Sequence, residues 1–202
     1  MRFNLPRLIG ITGKAGAGKD TLADYLVRQH GFIKYSLAGP LKQLLADHYG
    51  FSVKCLEDRE FKEREASRFG IKPDGSCFSI REHMQWLGTE VGRHIGGADV
   101  WINLMEQQWR TGVELGHFTR GDVGMVVPDV RFDNEAARII TLGGTIIRVT
   151  RPGQSSVPAH VSENGVRNEL VNVEVRNDSD IVTFLRNCVY ALEQTQPRGR
   201  HG

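Results

Sequence analysis

The run Gly13-Lys14-Ala15-Gly16-Ala17-Gly18-Lys19 has the residue types and spacing that hold a polyphosphate. It matches G-x-x-x-x-G-K, in which glycines let successive backbone N–H groups turn inward and the lysine reaches the β- and γ-phosphates. The N-terminus of a following helix adds partial positive charge. A strand-to-helix turn that binds nothing is the competing explanation, and the terminal lysine counts against it. The next residue is Asp20, where the pattern has Ser or Thr to hold Mg²⁺, and Thr21 follows one place later. Two roles stay open for Asp20. It takes Mg²⁺ directly or through water, or it favours the helix N-terminus electrostatically, worth ~0.3–1 kcal/mol.

A second group follows the apolar run Met125-Val126-Val127-Pro128, in Asp129, Arg131 and Glu135. In open α/β sheets ligands bind beyond the carboxyl ends of the strands, so Asp129 and Arg131 are expected to face the phosphates. Asp129 would hold a Mg²⁺-bound water or accept a substrate hydrogen bond, and Arg131 would brace the transferring phosphoryl group. A plain surface ion pair is the alternative. Between Ser79 and Ile95, the residues Ile80, Met84, Leu87, Val91 and Ile95 recur at helical spacing and are expected to face a core. Beside them run Arg81, Gln85, Gly88, Thr89 and Gly92, a cation, an amide and small residues that would let a flat ligand approach closely. By periodicity alone the same stripe describes a solvated helix face. Trp101 fits a ligand pocket or simple core packing. His30, His48, His83, His94 and His117 have no metal-ligand spacing, and His160 reads as a polar loop residue.

These residues need a scaffold of alternating strands and helices. Strands are expected over Leu8–Thr12, Phe32–Leu37, Met125–Pro128, Thr145–Val149 and Leu170–Val175. Helices are expected from Lys19, with Leu22, Tyr25, Leu26 and Val27 on one side, from Leu41, over Ser79–Ile95, from Asp99 to Leu115, and over Phe132–Leu142. A last helix is capped by Asp178 or Ser179, with Ile181, Phe184, Leu185, Cys188 and Leu192 inward. The crowded charges of Cys55–Phe69 suggest a solvated helix, Ile71–Phe78 a loop, and Arg151–Asn168 a long functional loop. Short β-branched strands joined by helices require a mostly parallel sheet, so the fold class is α/β.

With 202 residues, 40% hydrophobic and 25% charged, the chain suits one globular domain over 1–195 and a frayed tail over 196–202. Lys plus Arg number 26 against 24 Asp plus Glu, which gives no broad basic surface for nucleic acid or acidic membrane, so any anion site must be local. No apolar run is long enough for a membrane span and the N-terminus carries no secretory signal, so the expected location is cytoplasmic. Cys55, Cys77 and Cys188 lack CxxC spacing and are expected as reduced thiols.

The sequence resembles the deoxynucleoside monophosphate kinases of T-even-type bacteriophages. The resemblance runs through GKAGAGKDTLADYL (13–26), KYSLAGPLKQLL (34–45), REHMQWLGTE (81–90) with Trp101, and PDVRFDNEAARI (128–139). It continues through IIRVTRPGQSS, HVSENG and VRND. That family also ends its phosphate loop in Lys-Asp-Thr, so Asp20 becomes a family mark. The resemblance implies a P-loop fold of the adenylate-kinase-like type, a five-stranded sheet with a substrate-binding helical part over about 39–117 and a lid over about 151–169. It implies transfer of the γ-phosphoryl of ATP, with Mg²⁺, to a deoxynucleoside 5′-monophosphate in the cytoplasm of a host cell, and a homodimer is compatible with it.

By the same resemblance Gly13, Ala15, Gly16, Ala17, Gly18, Lys19, Asp20, Thr21, Arg151 and Asn177 lie along ATP. Leu41, Lys42, Arg81, Gln85, Gly88, Thr89, Trp101, Asp129, Arg131 and Glu135 serve the monophosphate. Lys19, Asp20, Asp129 and Arg131 form the catalytic set, with Asp20 and Asp129 meeting the metal through water. The segment from about Cys55 to Phe78 is shorter and more charged here, which leaves the choice between Arg64 and Arg68 open. Two other classes compete: a P-loop kinase of another small acceptor, such as dephospho-coenzyme A or a sugar acid, and a nucleotide-binding module without catalysis.

Overall fold

The computed structural model describes residues 4–118, 123–153 and 165–196. His160, most of the expected lid and the tail beyond 196 lie outside the described residues. The chain divides into two compact units, one comprising the chain up to Leu37 and from Leu104 onward, the other Ala38–Asn103.

The first unit is built on a parallel sheet. Its strands are β1 (Leu8–Thr12), β2 (Ile33–Lys34), β3 (Met125–Val127), β4 (Thr145–Thr150) and β5 (Val173–Arg176), in the order β2-β3-β1-β4-β5. Every pairing is parallel, with Leu8 opposite Met125, Ile9 opposite Thr145, Ile33 opposite Met125 and Ile147 opposite Val173. Central β1 is buried along its whole length, as an unbroken apolar run covered on both faces must be. On one face α1 (Lys19–His30) and α8 (Ile181–Gln194) pack Leu22, Leu26, Phe184, Cys188 and Leu192 on Ile9, Ile11, Val126, Ile147 and Val149. On the other, Ile139 of α7 (Asp133–Thr141) meets Ile146 and Val130 over Gly10. The fold is α/β.

Three expectations about this unit are corrected. The strand expected over Leu170–Val175 is β5, which starts only at Val173, because Asn168–Leu170 form a 3-10 turn. Strand β2 ends early because the Leu37 N–H and the Ser36 hydroxyl turn to the Asp129 carboxylate instead of extending the ladder. Helix α8 is capped by Asp180, whose Oδ1 accepts from the N–H groups of Val182 and Thr183 at 2.9 and 3.0 Å. The start is therefore later than Asp178 or Ser179, and Ile181 is 58% exposed rather than inward.

The second unit holds α2 (Gly39–Tyr49), α3 (Arg59–Lys62), α4 (Ile80–Gln85), a π-helical stretch over Trp86–Val91 and α5 (Gly92–Gly96). Helix α6 (Val100–Glu114) begins one residue after Asp99 and carries the chain past the division at Leu104. Pro40 occupies the first turn of α2, where its missing N–H costs nothing. The charged segment is not one solvated helix. Asp58 caps the single turn of α3, and Leu56 and Phe69 are buried with Leu41, Leu45 and Ile80 in a separate core. Apolar residues there are not spaced helically, so the backbone folds to bring them to one side. Residues 71–78 form a pinched loop closed by a bridge between Ile71 and Cys77. The π turn widens the helix after Gln85 and rotates the residues beyond it, so Ile95 is 80% exposed although its spacing predicts a core position. Among the described residues no helix is long and apolar enough to cross a membrane.

Candidate active site

The phosphate loop joins buried β1 to α1, so its backbone is anchored at both ends. Gly13 has φ 139° and a side chain there would collide with the Val149 carbonyl. Gly18, at φ 113°, is the N-cap of α1, and a Cβ on it would come within 2.7 Å of Asn177 Nδ2. Asn177 Nδ2 donates to the Ala17 carbonyl at 2.8 Å, while the Asn177 N–H donates to the Thr150 carbonyl at 2.7 Å. Asn177, expected near the adenine, thus braces the loop directly. Lys19 is the first residue of α1 and curls back over the loop, its Nζ donating to the carbonyls of Gly13 and Lys14 at 2.7 and 2.9 Å. Ala17 is buried, Thr21 is half-buried, and Ala15 and Gly16 are exposed.

A cleft of about 430 Å³ opens against this loop. Lys14, Lys19, Arg131, Arg148 and Arg151 line it, and among the described residues no carboxylate does. The arrangement favours a multiply charged anion, since guanidinium forks bind phosphate oxygens bidentately and remain charged. Arg148 lines this cleft, although the sequence patterns do not pick it out. It interrupts the apolar run of β4, a largely buried position between buried Ile147 and Val149. That lone cation inside a buried strand is the signal that marks it. Its guanidinium donates to Asn168 Oδ1 and the Val166 carbonyl, and lies 3.7 Å from Glu174 Oε2. Arg167 adds a second latch, pairing with Asp133 at 2.7 Å.

The acids singled out in the sequence, Asp20, Asp129 and Glu135, all have partners. Asp129 accepts from Ser36 Oγ at 2.7 Å and from the Leu37 N–H at 2.9 Å. Burial, with the Asp129 charge nearby, pushes the Tyr35 phenol above its ordinary pKa. Asp20 is paired with Lys34, whose Nζ lies 3.1 Å from its Oδ1 and 2.9 Å from Asp24 Oδ1. Burial works against the Lys34 ammonium, but the hydrogen bonds to Asp24 and Asp20 outweigh it and raise its pKa. Glu135 is buried, and its Oε2 accepts the N–H groups of Arg131 and Phe132 at 2.8 and 3.1 Å. That bonding caps α7 and fixes the backbone at Arg131.

In the helical unit, Leu41, Gly88 and Trp101 come together. Trp101 Nε1 donates to the Gly88 carbonyl at 2.8 Å, and a Cβ on Gly88 would stand 3.0 Å from Leu41 Cδ2. The indole also packs on the second core, so its apolar body serves structure while its N–H is satisfied. Arg81 Nε pairs with Glu63 Oε1 at 2.6 Å, and Lys42 Nζ lies 3.6 Å from Glu57. Arg64 lies over the Phe61 ring, and Arg68 over Phe51 and Phe69. Gln85 ends α4, and Gly88 and Thr89 belong to the π turn after it. Such turns recur at functional sites.

The model of the family described as deoxynucleotide monophosphate kinase matches residues 7–71 and 53–187. A protein of Acanthamoeba polyphaga mimivirus bearing that family name is 31% identical over 191 residues, covering 90% of this chain and 95% of its own. The deoxynucleotide monophosphate kinase of Enterobacteria phage T4 is 26% identical, covering 87% of this chain and 94% of its own. The deoxynucleoside-5′-monophosphate kinase of Escherichia phage T5 is 24% identical, covering 91% and 94%. Matched along nearly its whole length, and carrying a phosphate loop that opens on a cation-lined cleft, the chain belongs to the deoxynucleotide monophosphate kinase family.

Proposed function

We propose that this protein transfers the γ-phosphoryl group of ATP to a deoxynucleoside 5′-monophosphate, giving ADP and the diphosphate. The observation that carries the reading is the cleft beside the phosphate loop, whose described lining includes two lysines and three arginines and no carboxylate. Family membership supports the acceptor class. In this reading Gly13, Ala15, Gly16, Ala17, Gly18, Lys19, Asp20 and Thr21 follow the donor phosphates, with Arg151 and Asn177 further along the donor. Leu41, Lys42, Arg81, Gln85, Gly88, Thr89 and Trp101 take the monophosphate, joined by Arg64 or Arg68 and by Asp129 and Arg131. Glu135 acts by holding the backbone of Arg131.

The attacking phosphate oxygen is already anionic, so no general base is required. The protein's work is alignment of two anions, exclusion of water and offset of their repulsion. Lys19 exchanges its two loop carbonyls for phosphate oxygens. Arginine forks on the cleft wall hold the charge that spreads over the transferring group. The residues fit a magnesium ion that arrives with the nucleotide. Among the described residues no group of three or more His, Cys, Asp and Glu could hold a metal, whereas the Asp20 side chain is 78% exposed and offers hard oxygen atoms at the foot of the loop. Asp20 and Asp129 would meet its hydration shell. When bound, Mg²⁺ would supply positive charge that offsets the repulsion between the donor and acceptor phosphates.

The test is ADP formation by the purified protein with ATP and Mg²⁺ against a panel of acceptors. Stimulation by one or more deoxynucleoside monophosphates, and none by dephospho-coenzyme A, gluconate or shikimate, is the expected result. ADP release that no monophosphate stimulates would overturn the reading in favour of another acceptor or of binding without catalysis.

A further inference from the structure

The phosphate loop ends in a carboxylate where the common pattern has a neutral hydroxyl, beside the place assigned to a multiply negative donor. Uncompensated, Asp20 would repel that donor. Compensation is built in. Lys34 Nζ lies 3.1 Å from Asp20 Oδ1 and 2.9 Å from Asp24 Oδ1. Asp20 and Asp24 are four residues apart on α1, so their carboxylates share one face a turn apart, and an ammonium with three donors can bridge them. Lys34 cannot drift away, because β2 is held in the sheet with Ile33 opposite Met125 and Lys34 opposite Val126. The pair with Asp20 is nevertheless exchangeable. The Asp20 side chain is 78% exposed against 33% for Lys34, and exposed ion pairs are weak enough to be traded for a better cation.

We propose that Lys34 is a positioning residue for the donor nucleotide. It neutralises Asp20 against a metal-free triphosphate and yields it to the magnesium hydration shell of a metal-bearing one, keeping Asp24 as its partner. The inference rests on the reading of the loop as an ATP–Mg²⁺ site. Because Lys34 and the metal compete for one carboxylate, Lys34 sets how strongly nucleotide binding depends on metal. Without the ammonium, metal-free ATP meets an uncompensated acid, whereas the Mg²⁺ complex brings its own cation.

The test measures equilibrium binding, by calorimetry, of ATP in EDTA and of ATP with saturating Mg²⁺. In wild type the two constants define a ratio, Kd without metal over Kd with metal. Lys34→Met is expected to raise that ratio about tenfold, which corresponds to about 1.4 kcal/mol. Lys34→Arg, which keeps the charge, leaves it within about twofold, since one tenfold step is the scale being read. In an Asp20→Asn background Lys34→Met changes nothing further. Asp24→Asn, which leaves Lys34 wholly to Asp20, moves the ratio the other way, and it keeps the inference testable if Lys34→Met does not fold. Equal weakening of both forms by Lys34→Met, or a shift that persists without Asp20, would overturn the proposal. A wild-type protein that binds neither form overturns the donor reading itself, and this inference with it.

Discussion

The Asn177 side-chain amide donates to the Ala17 carbonyl at 2.8 Å, joining the turn after β5 to the phosphate loop after β1. The Asn177 backbone N–H is itself held by the Thr150 carbonyl, so the loop is tied to two neighbouring strands. Loss of one such bond costs ~0.5–1.5 kcal/mol, so Asn177→Ala should raise the KM for ATP about threefold. Asn177→Asp sets an acceptor against a carbonyl and should raise it more, by about tenfold, since an unmade buried bond costs more than an absent one. Steady-state kinetics at saturating monophosphate checks this. Equal effects of the two variants would mean the bond does not shape the loop.

Lys19 donates to the Gly13 and Lys14 carbonyls, neutral acceptors that a phosphate oxygen can replace. In the proposed reaction Lys19→Ala removes a cation beside the transferring group, and kcat should fall by about 10²–10³, the scale of losing one well-placed electrostatic donor. Near wild-type turnover with ATP would remove Lys19 from the mechanism.

Arg81 is held by Glu63 at 2.6 Å, so its guanidinium is oriented before any ligand arrives. Arg81→Ala should raise the KM for the monophosphate at least about tenfold while changing that for ATP little, as expected for loss of a charge-assisted bond to one substrate only. Equal changes in both constants would end its assignment to the acceptor.

The features legible in the sequence are local ones. The phosphate loop, the buried central strands and helices α1, α7 and α8 are consecutive patterns, and the strand order places them as the α/β reading requires. The hidden features depend on partners far away in the chain. Asp20 and Lys34 meet across 14 residues, and Asp129 meets Ser36 across 93, so neither pairing leaves a periodic trace. The charges around Leu56 and Phe69 mask their burial, and a spacing that suits an ordinary helix masks the π turn. Arg148 is hidden in another way, as a single cation within a strand whose apolar pattern dominates.

Arg148 makes a prediction of its own. Its fork holds Asn168 and the Val166 carbonyl, so it fastens the segment that returns to the sheet ahead of β5. Arg148→Met should speed hydrogen exchange of the amides at 165–170 while leaving those of β1 unchanged. Arg148→Lys should restore protection only in part, because a point ammonium cannot serve two acceptors held in fork geometry. Full restoration by lysine would show that charge, not the fork, is what the latch needs.

The helix bearing Arg81 and Gln85 begins at a capping box, with Ser79 Oγ accepting from the Glu82 N–H and Glu82 Oε2 accepting from the Ser79 N–H. The hydrogen bond from Lys72, followed by that from the Ser79 backbone, holds the Glu82 carboxyl below its ordinary 4.5. A carboxyl whose folded pKa is depressed stabilises the fold fully above its unfolded value and loses that contribution as pH falls through the folded one. Glu82→Gln should therefore lower Tm most near about pH 7, and the gap to wild type should close on acidification below the usual carboxylate range of about 4. Thermal melts of both proteins across that range check the sign. A gap that widens in acid would show that the neutral carboxyl, not the carboxylate, is the form the cap prefers.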